Sequence, residues 1–193
     1  MNTIKNLGRT FIVLPIVRIL ILFKIPPNAV TLVSLVFATA SALLYWHGLF
    51  WAGAVFLLLC GLSDTFDGEI ARQTQQVSNI GGFLDSTVDR INEFVIYFGL
   101  FGYYYNHERY ALVWLFLALF GSMMVSYTRA RGEALGISPQ VGIFDRLTRF
   151  ALLVIGSLFG PRIVIYVLVI LTVGTIQTMI QRIIFTHVKS SQR

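Results

Sequence analysis

The chain has 193 residues, of which 56% are hydrophobic and only 12% are charged, and its formal net charge is +6. A mean hydropathy of +0.74 excludes a soluble globular domain, in which roughly 25% of residues are charged, and indicates an integral membrane protein. The basic residues lie at the ends of apolar segments, so nucleic-acid binding is not predicted. The single cysteine, Cys60, excludes an internal disulfide.

Residues 1–25 are predicted to form an amphipathic helix that lies along the membrane surface, separate from a membrane domain at 26–193. Four basic residues interrupt its apolar sequence, namely Lys5, Arg9, Arg18 and Lys24. No uncharged run is therefore long enough to cross a bilayer, and no cleavable signal peptide is predicted. Pro26 and Pro27 end this helix because proline has no backbone N–H to donate.

Six apolar segments follow, each near the ~20 residues that a helix needs to cross the hydrocarbon core. They cover residues 28–45, 49–72, 81–105, 110–126 (continuing toward 131), 144–158 and 163–185. Glycines, prolines and polar residues separate them, as is typical of helix ends. The predicted fold is an all-α integral membrane protein with six transmembrane helices after an N-terminal interfacial amphipathic helix.

The distribution of basic residues predicts the orientation of this bundle. If both termini lie on one side of the membrane, that side holds thirteen of the fifteen Lys and Arg residues, and only Arg109 and Arg162 lie on the other. The positive-inside rule then places both termini in the cytoplasm. The opposite loops, 46–51 and 103–110, are short and aromatic, which is typical of a membrane interface. We therefore predict a multi-pass protein of the cell membrane.

Four aspartates lie within residues 64–89 of this apolar chain. Asp64 and Asp67 are one helical turn apart, and so are Asp85 and Asp89, so each pair shares one face of its helix. Antiparallel packing of the two helices would bring the four carboxylates together. Such a cluster needs cations in apolar surroundings, and its oxygen ligands favour Mg²⁺, Mn²⁺ or Ca²⁺. Because ionisable residues in membrane segments are costly, we interpret the cluster as a cytoplasmic functional site rather than a solvated helix face.

The residues that follow Asp67 suit the approach of a phosphate. Gly68 removes a side chain, Ala71 keeps the same face open one turn later, and Arg72 offers a planar fork of donors. Close helix packing explains the glycine and the alanine, taken alone, equally well.

Together these residues form the pattern Asp-x-x-Asp-Gly-x-x-Ala-Arg, eight residues, Gly, three residues, Asp, three residues, Asp. This pattern resembles the signature of the CDP-alcohol phosphotransferase family. All of its fixed positions are filled, by Asp64, Asp67, Gly68, Ala71, Arg72, Gly81, Asp85 and Asp89. The resemblance implies a homodimer of six-helix membrane bundles. It also implies transfer of a substituted phosphate from a CDP-linked lipid to an alcohol, with release of CMP and with two divalent cations, Mg²⁺ or Mn²⁺, as cofactors.

The resemblance assigns roles to seven of the eight residues of the pattern. The four aspartates are metal ligands, and Asp89 is also the base that removes the proton of the acceptor hydroxyl. The CDP moiety lies against three residues, Gly68, Ala71 and Arg72. Asn28 and Thr31, at the start of the first membrane helix, border the nucleotide, although helix capping is the simpler explanation for Asn28.

Five arginines at the predicted cytoplasmic ends of the last three helices are candidate acceptor ligands: Arg129, Arg131, Arg146, Arg149 and Arg182. Guanidinium groups bind phosphate bidentately, although positive-inside anchoring also explains basic residues there. The stretch 126–136 and the pair Arg146 and Arg149 are similar to the phosphatidylinositol-phosphate and archaetidylinositol-phosphate synthase branch of the family. Asp145 and Thr148 stand where that branch more often has Glu. The resemblance therefore implies a phosphorylated polyol, inositol 1-phosphate, as acceptor, with glycerol 3-phosphate as the alternative.

Two other classes of membrane protein also place acidic residues in membrane helices. A prenyltransferase would use Asp-rich motifs and Mg²⁺, but it leaves the Gly-x-x-Ala-Arg element unexplained. A divalent-cation carrier would need a polar path beyond Asp64, where the sequence has only Leu62, Cys60 and the leucines of 57–59. We therefore predict the phosphotransferase.

Overall fold

The computed structural model describes residues 13–192 and contains seven α-helices and no β-strand within that range. The helices are α1 (Leu14–Leu22), α2 (Pro27–Trp46), α3 (Phe50–Gln73), α4 (Asn79–His107), α5 (Ala111–Ala134), α6 (Arg146–Leu158) and α7 (Pro161–Ser191). The predicted all-α class is confirmed.

Helix α1 occupies the described part of the predicted interfacial segment 1–25. Residues 1–12 lie outside the described range, so the amphipathic helix as a whole stays a prediction. Val17 of α1 is buried in a small apolar cluster with Ile70 of α3, whereas Leu22 is 78% exposed. An exposed apolar side chain of this kind is compatible with a helix that lies on a lipid surface.

Four helices of the described chain are long and apolar enough to cross a membrane, namely α2, α3, α5 and α7. This agrees with the predicted integral membrane character. Helix α4 has 29 residues but carries its charged side chains in its first half. Helix α6 has only 13 residues, which at 1.5 Å per residue is about 20 Å. The predicted total of six spans stays a prediction for these two helices.

Local sequence explains where several helices begin. Pro27 occupies the first position of α2, where its missing N–H would have no helical partner in any case. No side chain caps α2, so the explanation of Asn28 as a helix cap is wrong. Ser78 caps α4 by accepting the backbone N–H of Gly81 at 3.0 Å, and Asp145 caps α6 in the same way.

The helices pack in two groups, one of α2, α3 and α4 and the other of α5 and α7, and α6 joins the two groups. Helix α2 packs against both α3 and α4, α5 packs against α7, and α6 packs against both α3 and α7. A Cβ on Gly99 of α4 would collide with the backbone of Ala42 in α2, and one on Gly121 of α5 would collide with Thr175 of α7. Small residues thus allow the close helix approach that is common in membranes.

Helices α3 and α4 make little direct contact with each other, although only residues 74–78 separate them. The sequence predicted that they would be close antiparallel neighbours. Instead, α2 packs on both of them, and acidic side chains and a cavity lie between their ends. Like charges need space and neutralising partners, which a tight interface between α3 and α4 would not provide.

Hydrogen bonds between buried side chains fix the relative positions of the helices. Nδ2 of Asn92 in α4 donates to Oγ of Ser34 in α2 at 2.7 Å, and the hydroxyl of Tyr45 in α2 donates to Oγ of Ser157 in α6 at 2.9 Å. A buried polar group in a membrane has no water to bind, so such pairs satisfy it internally. The first pair joins α2 and α4 one turn from Asp89.

Candidate active site

Three aspartates meet between α3 and α4. One carboxylate oxygen from each of Asp64, Asp67 and Asp85 lies within 4.8 Å of the other two. Oδ1 of Asp85 is buried and has no hydrogen-bond partner among the described residues. An all-oxygen donor set that includes an unpartnered buried oxygen fits a hard divalent cation. The geometry of these three residues therefore agrees with the predicted metal site.

Asp67 is the most enclosed of the three carboxylates, and helix α2 orients it. Its Oδ2 accepts a hydrogen bond of 2.6 Å from Oγ1 of Thr31, and both residues are buried. Thr31 lies one turn into α2, whose first residue is Pro27. The sequence predicted that Thr31 borders the nucleotide, and the structure also gives it a direct contact with the carboxylate cluster.

Asp89 lies one turn further along α4 and is outside the group of three. Arg146, the first residue of α6, stands between Asp89 and Asp64. Its Nη2 is 2.6 Å from Oδ1 of Asp89, and its Nη1 is 2.7 Å from Oδ1 of Asp64. The guanidinium also lies 5.1 Å from the ring centroid of Phe150. Arg146, predicted as an acceptor ligand, thus also balances the charge of two aspartates.

A cavity of about 350 Å³ opens on one side of the cluster, between the start of α2, the end of α3 and the start of α4. We call it the donor cavity. All five residues predicted to contact the CDP moiety line it: Asn28, Thr31, Gly68, Ala71 and Arg72. Asp67 and Asp85 line it too, so a pyrophosphate bound there would reach the carboxylates.

Gly68 faces the donor cavity rather than another helix. The three atoms nearest to a Cβ at this position, at 3.5 to 3.9 Å, all belong to the side chain of Arg72 in the same helix. Close helix packing therefore does not explain this glycine. Its missing side chain leaves the space beside Asp67 open.

Glu69, which the sequence analysis did not identify, holds Arg72 at the edge of the donor cavity. Nη2 of Arg72 donates to Oε2 of Glu69 at 2.9 Å, and Nε2 of Gln73 donates to Oε1 at 3.0 Å. The carboxylate is buried, whereas the side chain of Arg72 is 60% exposed. The spacing of three residues between acid and base on one helix could have indicated this pair.

A second cavity, of about 310 Å³, opens on the other side of the cluster between α4, α5, α6 and α7. We call it the acceptor cavity. Four of the five predicted acceptor arginines line it: Arg129, Arg146, Arg149 and Arg182. Asp89 lines it as well, and Asp85 lines both cavities. The carboxylate cluster therefore lies where the two cavities meet.

The structure places Arg131, the fifth predicted arginine, outside the acceptor cavity. It is exposed on α5, two residues after Arg129, and residues at that spacing point about 200° apart on a helix. Arg90, which the sequence analysis did not identify, lines the cavity instead. Its position directly after Asp89 could have indicated it.

The arginines of the acceptor cavity differ in how firmly they are held. Nε of Arg129 is 2.9 Å from Oε1 of Glu133 in an exposed pair on α5. Arg182 is buried, and it donates from Nη1 to the carbonyl of Val125 at 2.6 Å and from Nε to the carbonyl of Val141 at 3.1 Å. An exposed ion pair is weak and can exchange for a bound phosphate. Arg182 is fixed, and it ties α7 to α5 and to the α5–α6 loop.

Comparison with protein families matches CDP-alcohol phosphatidyltransferase over residues 24–186. The chain belongs to this family. The matched range runs from before α2 into α7 and includes every residue that lines the two cavities. The chain is therefore a transferase of phospholipid synthesis, as the motif predicted. The prenyltransferase and cation-carrier alternatives are wrong.

Named relatives of this phosphatidyltransferase come from archaea and bacteria. The archaetidylinositol phosphate synthase of Methanothermobacter thermautotrophicus is 36% identical over 165 residues, which cover 83% of this chain and 83% of the relative. The phosphatidylinositol phosphate synthase of Streptomyces avermitilis is 32% identical over 199 residues, which cover 95% of this chain and 81% of the relative.

A solved structure shares the fold of this phosphatidyltransferase. The crystal structure of Mycobacterium tuberculosis phosphatidylinositol phosphate synthase with CDP-DAG bound has a TM-score of 0.83 and 29% identity, and the match covers 91% of this chain and 93% of that chain. A second crystal structure of that synthase, in complex with manganese and citrate, also has a TM-score of 0.83. Together with the aspartates that meet here, it supports divalent-metal binding.

Proposed function

We propose that this enzyme transfers the phosphatidyl-type group of a CDP-linked lipid to inositol 1-phosphate and releases CMP. The observation that carries the proposal is the meeting of two cavities at the aspartates, one lined by the CDP-binding pattern and the other by arginines. A phosphate with two charges needs several fixed cations, which the acceptor cavity supplies. The names of the relatives, which are inositol phosphate synthases, support the same acceptor.

The four aspartates would hold two divalent cations, Mg²⁺ or Mn²⁺. The oxygen donors, the short separations among Asp64, Asp67 and Asp85, and the unpartnered oxygen of Asp85 support this assignment. Asp89 is included because it fills the last position of the family pattern. Cations bound there supply positive charge that stabilises the pyrophosphate and the departing CMP. Arg146, between Asp64 and Asp89, adds a fixed positive charge of the chain's own at the same place.

Asp89 is the proposed general base because its carboxylate lines the acceptor cavity beside the cluster. It takes the proton of the acceptor hydroxyl, and the hydroxyl oxygen forms a bond to the lipid-linked phosphorus of the donor. The bond between that phosphorus and the bridging pyrophosphate oxygen breaks. CMP leaves with this oxygen and its electron pair, so one P–O bond forms while one breaks.

We further propose that residues 26–193 form the catalytic domain, with α2 to α7 as six spans and with residues 1–25 on the membrane surface. Both termini and the site would face the cytoplasm, in agreement with the charge bias. Helix α4, with 29 residues, is about 44 Å long, against about 30 Å for the hydrocarbon core. Its acidic residues lie near one end, so the site would lie close to the membrane surface. The homodimer rests on the family resemblance alone.

The test is CMP release by the purified protein in lipid nanodiscs. CDP-diacylglycerol or CDP-archaeol is supplied with inositol 1-phosphate, with glycerol 3-phosphate or without acceptor, and each reaction is run with Mg²⁺, Mn²⁺ or EDTA. We expect CMP release only with inositol 1-phosphate and a divalent cation, and no release by Asp67→Asn protein. A higher kcat/KM with glycerol 3-phosphate would reassign the acceptor. Failure with every pair of substrates would overturn the proposed function.

A further inference from the structure

A buried carboxylate, Glu93, lies behind the acceptor cavity without lining it. It follows Asp89 by one turn of α4, and it is only 2% exposed. Oε1 accepts hydrogen bonds from Oγ of Ser122 at 2.7 Å and from Nε of Arg149 at 3.1 Å. Oε2 accepts a further bond from Nη2 of Arg149 at 3.4 Å. Both carboxylate oxygens therefore hold one edge of this guanidinium.

The contacts of Arg149 fix its guanidinium on two sides. It is 1% exposed, and its Nη1 donates to the carbonyl of Phe144 at 3.1 Å. Glu93 therefore holds the Nε edge, the carbonyl holds Nη1, and the residue still lines the acceptor cavity. A planar group held at two edges cannot turn away from the cavity without breaking charge-assisted hydrogen bonds.

Glu93 also faces a second cation of the same cavity. Nε of Arg90 is 3.9 Å from Oε2 of Glu93, and Nη2 of Arg90 is 3.7 Å from Oδ2 of Asp89. One buried anion is thus shared by two arginines that line the acceptor cavity. Both contacts are ion pairs without a hydrogen bond from Nε of Arg90, so Glu93 and Asp89 attract this guanidinium through their charge.

A contribution to folding stability does not by itself explain why Glu93 is buried beside Arg149 and Arg90. A buried ion pair is often no more stabilising than apolar side chains of similar volume, because both charges lose their hydration. Here, however, both cations reach the cavity, while the anion and its hydroxyl partner on Ser122 lie behind it. That arrangement presents the two guanidinium groups to the cavity and keeps the negative charge of Glu93 behind them.

We propose that Glu93 is a positioning residue for the acceptor: it holds Arg149 and Arg90 where they bind the acceptor's phosphate. The proposal rests on the proposed function, because it requires a phosphorylated acceptor in this cavity. Glu93 itself contacts no substrate. It acts through the two arginines, and Ser122 fixes the direction of its carboxylate.

The first test is Glu93→Gln, which keeps the shape of the side chain and removes its charge. We expect the acceptor KM to rise roughly tenfold or more, as for loss of a charge-assisted contact. The KM of the CDP-linked donor should stay unchanged, because the donor cavity lies on the other side of the aspartates. Glu93→Asp should recover part of the loss. The matched control is Glu108→Gln, which neutralises a carboxylate just beyond the opposite end of α4.

A second test separates positioning from a purely structural ion pair. The double variant Glu93→Leu with Arg149→Leu removes both charges, so thermal unfolding should return toward the wild-type Tm even where a single leucine variant folds poorly. If the pair serves only the fold, the acceptor KM returns to the wild-type value as well. We expect instead that stability recovers while the acceptor KM stays raised.

The outcomes distinguish this proposal from the proposed function. Wild-type protein that releases CMP with inositol 1-phosphate or glycerol 3-phosphate supports a phosphorylated acceptor. An unchanged acceptor KM in Glu93→Gln protein, an equal rise in both KM values, or a normal acceptor KM in the double variant would then overturn the role of Glu93 alone. Wild-type protein that uses neither acceptor overturns the proposed function, and the role of Glu93 with it.

Discussion

The four aspartates of the family pattern have different neighbours, and these neighbours divide their proposed roles. Asp67 is buried and accepts a hydrogen bond from Thr31, whereas Asp85 keeps an unpartnered oxygen between the two cavities. Asp89 lies apart from the group of three, lines the acceptor cavity and pairs with Arg146. Position relative to the two cavities therefore gives Asp89 the additional role of candidate base, although all four residues have the same chemistry.

Asp89→Asn and Asp67→Asn should fail in different ways. Loss of the base at Asp89 should reduce turnover by about a hundredfold or more, while binding of the CDP-linked donor is retained. Loss of a central carboxylate at Asp67 should weaken the binding of Mn²⁺ itself. Single-turnover CMP release, donor binding and Mn²⁺ titration by electron paramagnetic resonance measure the three quantities separately.

Two results would contradict the role of Asp89 as the general base. Asp89→Asn protein that turns over at the wild-type rate has another base. Asp89→Asn protein that recovers wild-type turnover at saturating Mn²⁺ would make Asp89 a metal ligand with no separate role in proton transfer.

Helix geometry decides which basic residues reach the acceptor. Residues 129 and 131 both belong to the last turns of α5, and both match the family branch that uses inositol phosphate. Because consecutive residues turn by about 100° around a helix, Arg129 lines the acceptor cavity and Arg131 does not. Arg146 and Arg149 of α6 are three residues apart and therefore share one face of that helix. Both of them line the acceptor cavity.

Arg129→Gln should therefore raise the acceptor KM more than Arg131→Gln does. A charge-assisted contact contributes about 1.5–3 kcal/mol. Because Arg129 is exposed and already pairs with Glu133, we expect its contact with the acceptor to contribute at the lower end of that range. The donor KM should not change in either variant. Steady-state kinetics with both substrates varied, together with Tm values to confirm folding, measure the difference.

Equal increases in the acceptor KM for the two variants would show that Arg131 reaches the acceptor. That result would require a different arrangement of the last turns of α5, with Arg131 turned toward the acceptor cavity.

The whole bundle places most of its charged groups at one end, and this predicts how the protein lies in the membrane. The turn between α3 and α4 and the α5–α6 loop adjoin the two cavities, whereas the short loop at 47–49 lies at the opposite ends of the helices. The positive-inside rule assigns the cavity-bearing end to the cytoplasm.

Cysteine labelling in intact cells tests this orientation. The native Cys60 is buried, so Cys60→Ala provides a background without a reactive thiol. On it, Gln75→Cys in the α3–α4 turn should react with an impermeant maleimide only after the cells are opened. His47→Cys, in the opposite loop, should react in intact cells. The reverse pattern would place the active site outside the cytoplasm and contradict the proposed topology.

The sequence by itself determined the membrane class and predicted the acidic site and the residues of the donor cavity. These features depend only on residues that are close in the sequence: the hydropathy of each span, aspartates one turn apart, and Gly68, Ala71 and Arg72 on one face of α3. Any α-helix with this sequence presents them in the same way, so spacing predicted which residues lie together, and the family resemblance assigned the CDP-linked donor to them. The donor cavity accordingly contains every residue that was predicted for it.

Only the tertiary structure decided the contacts between distant helices. Glu93 and Arg149 are 56 positions apart in the chain, and no local pattern relates them. The same holds for Arg146, which pairs with Asp64 and Asp89, and for the gap between α3 and α4 that α2 maintains. The physical reason is that helical periodicity fixes the face on which a side chain lies, whereas the packing of other helices fixes what that face meets.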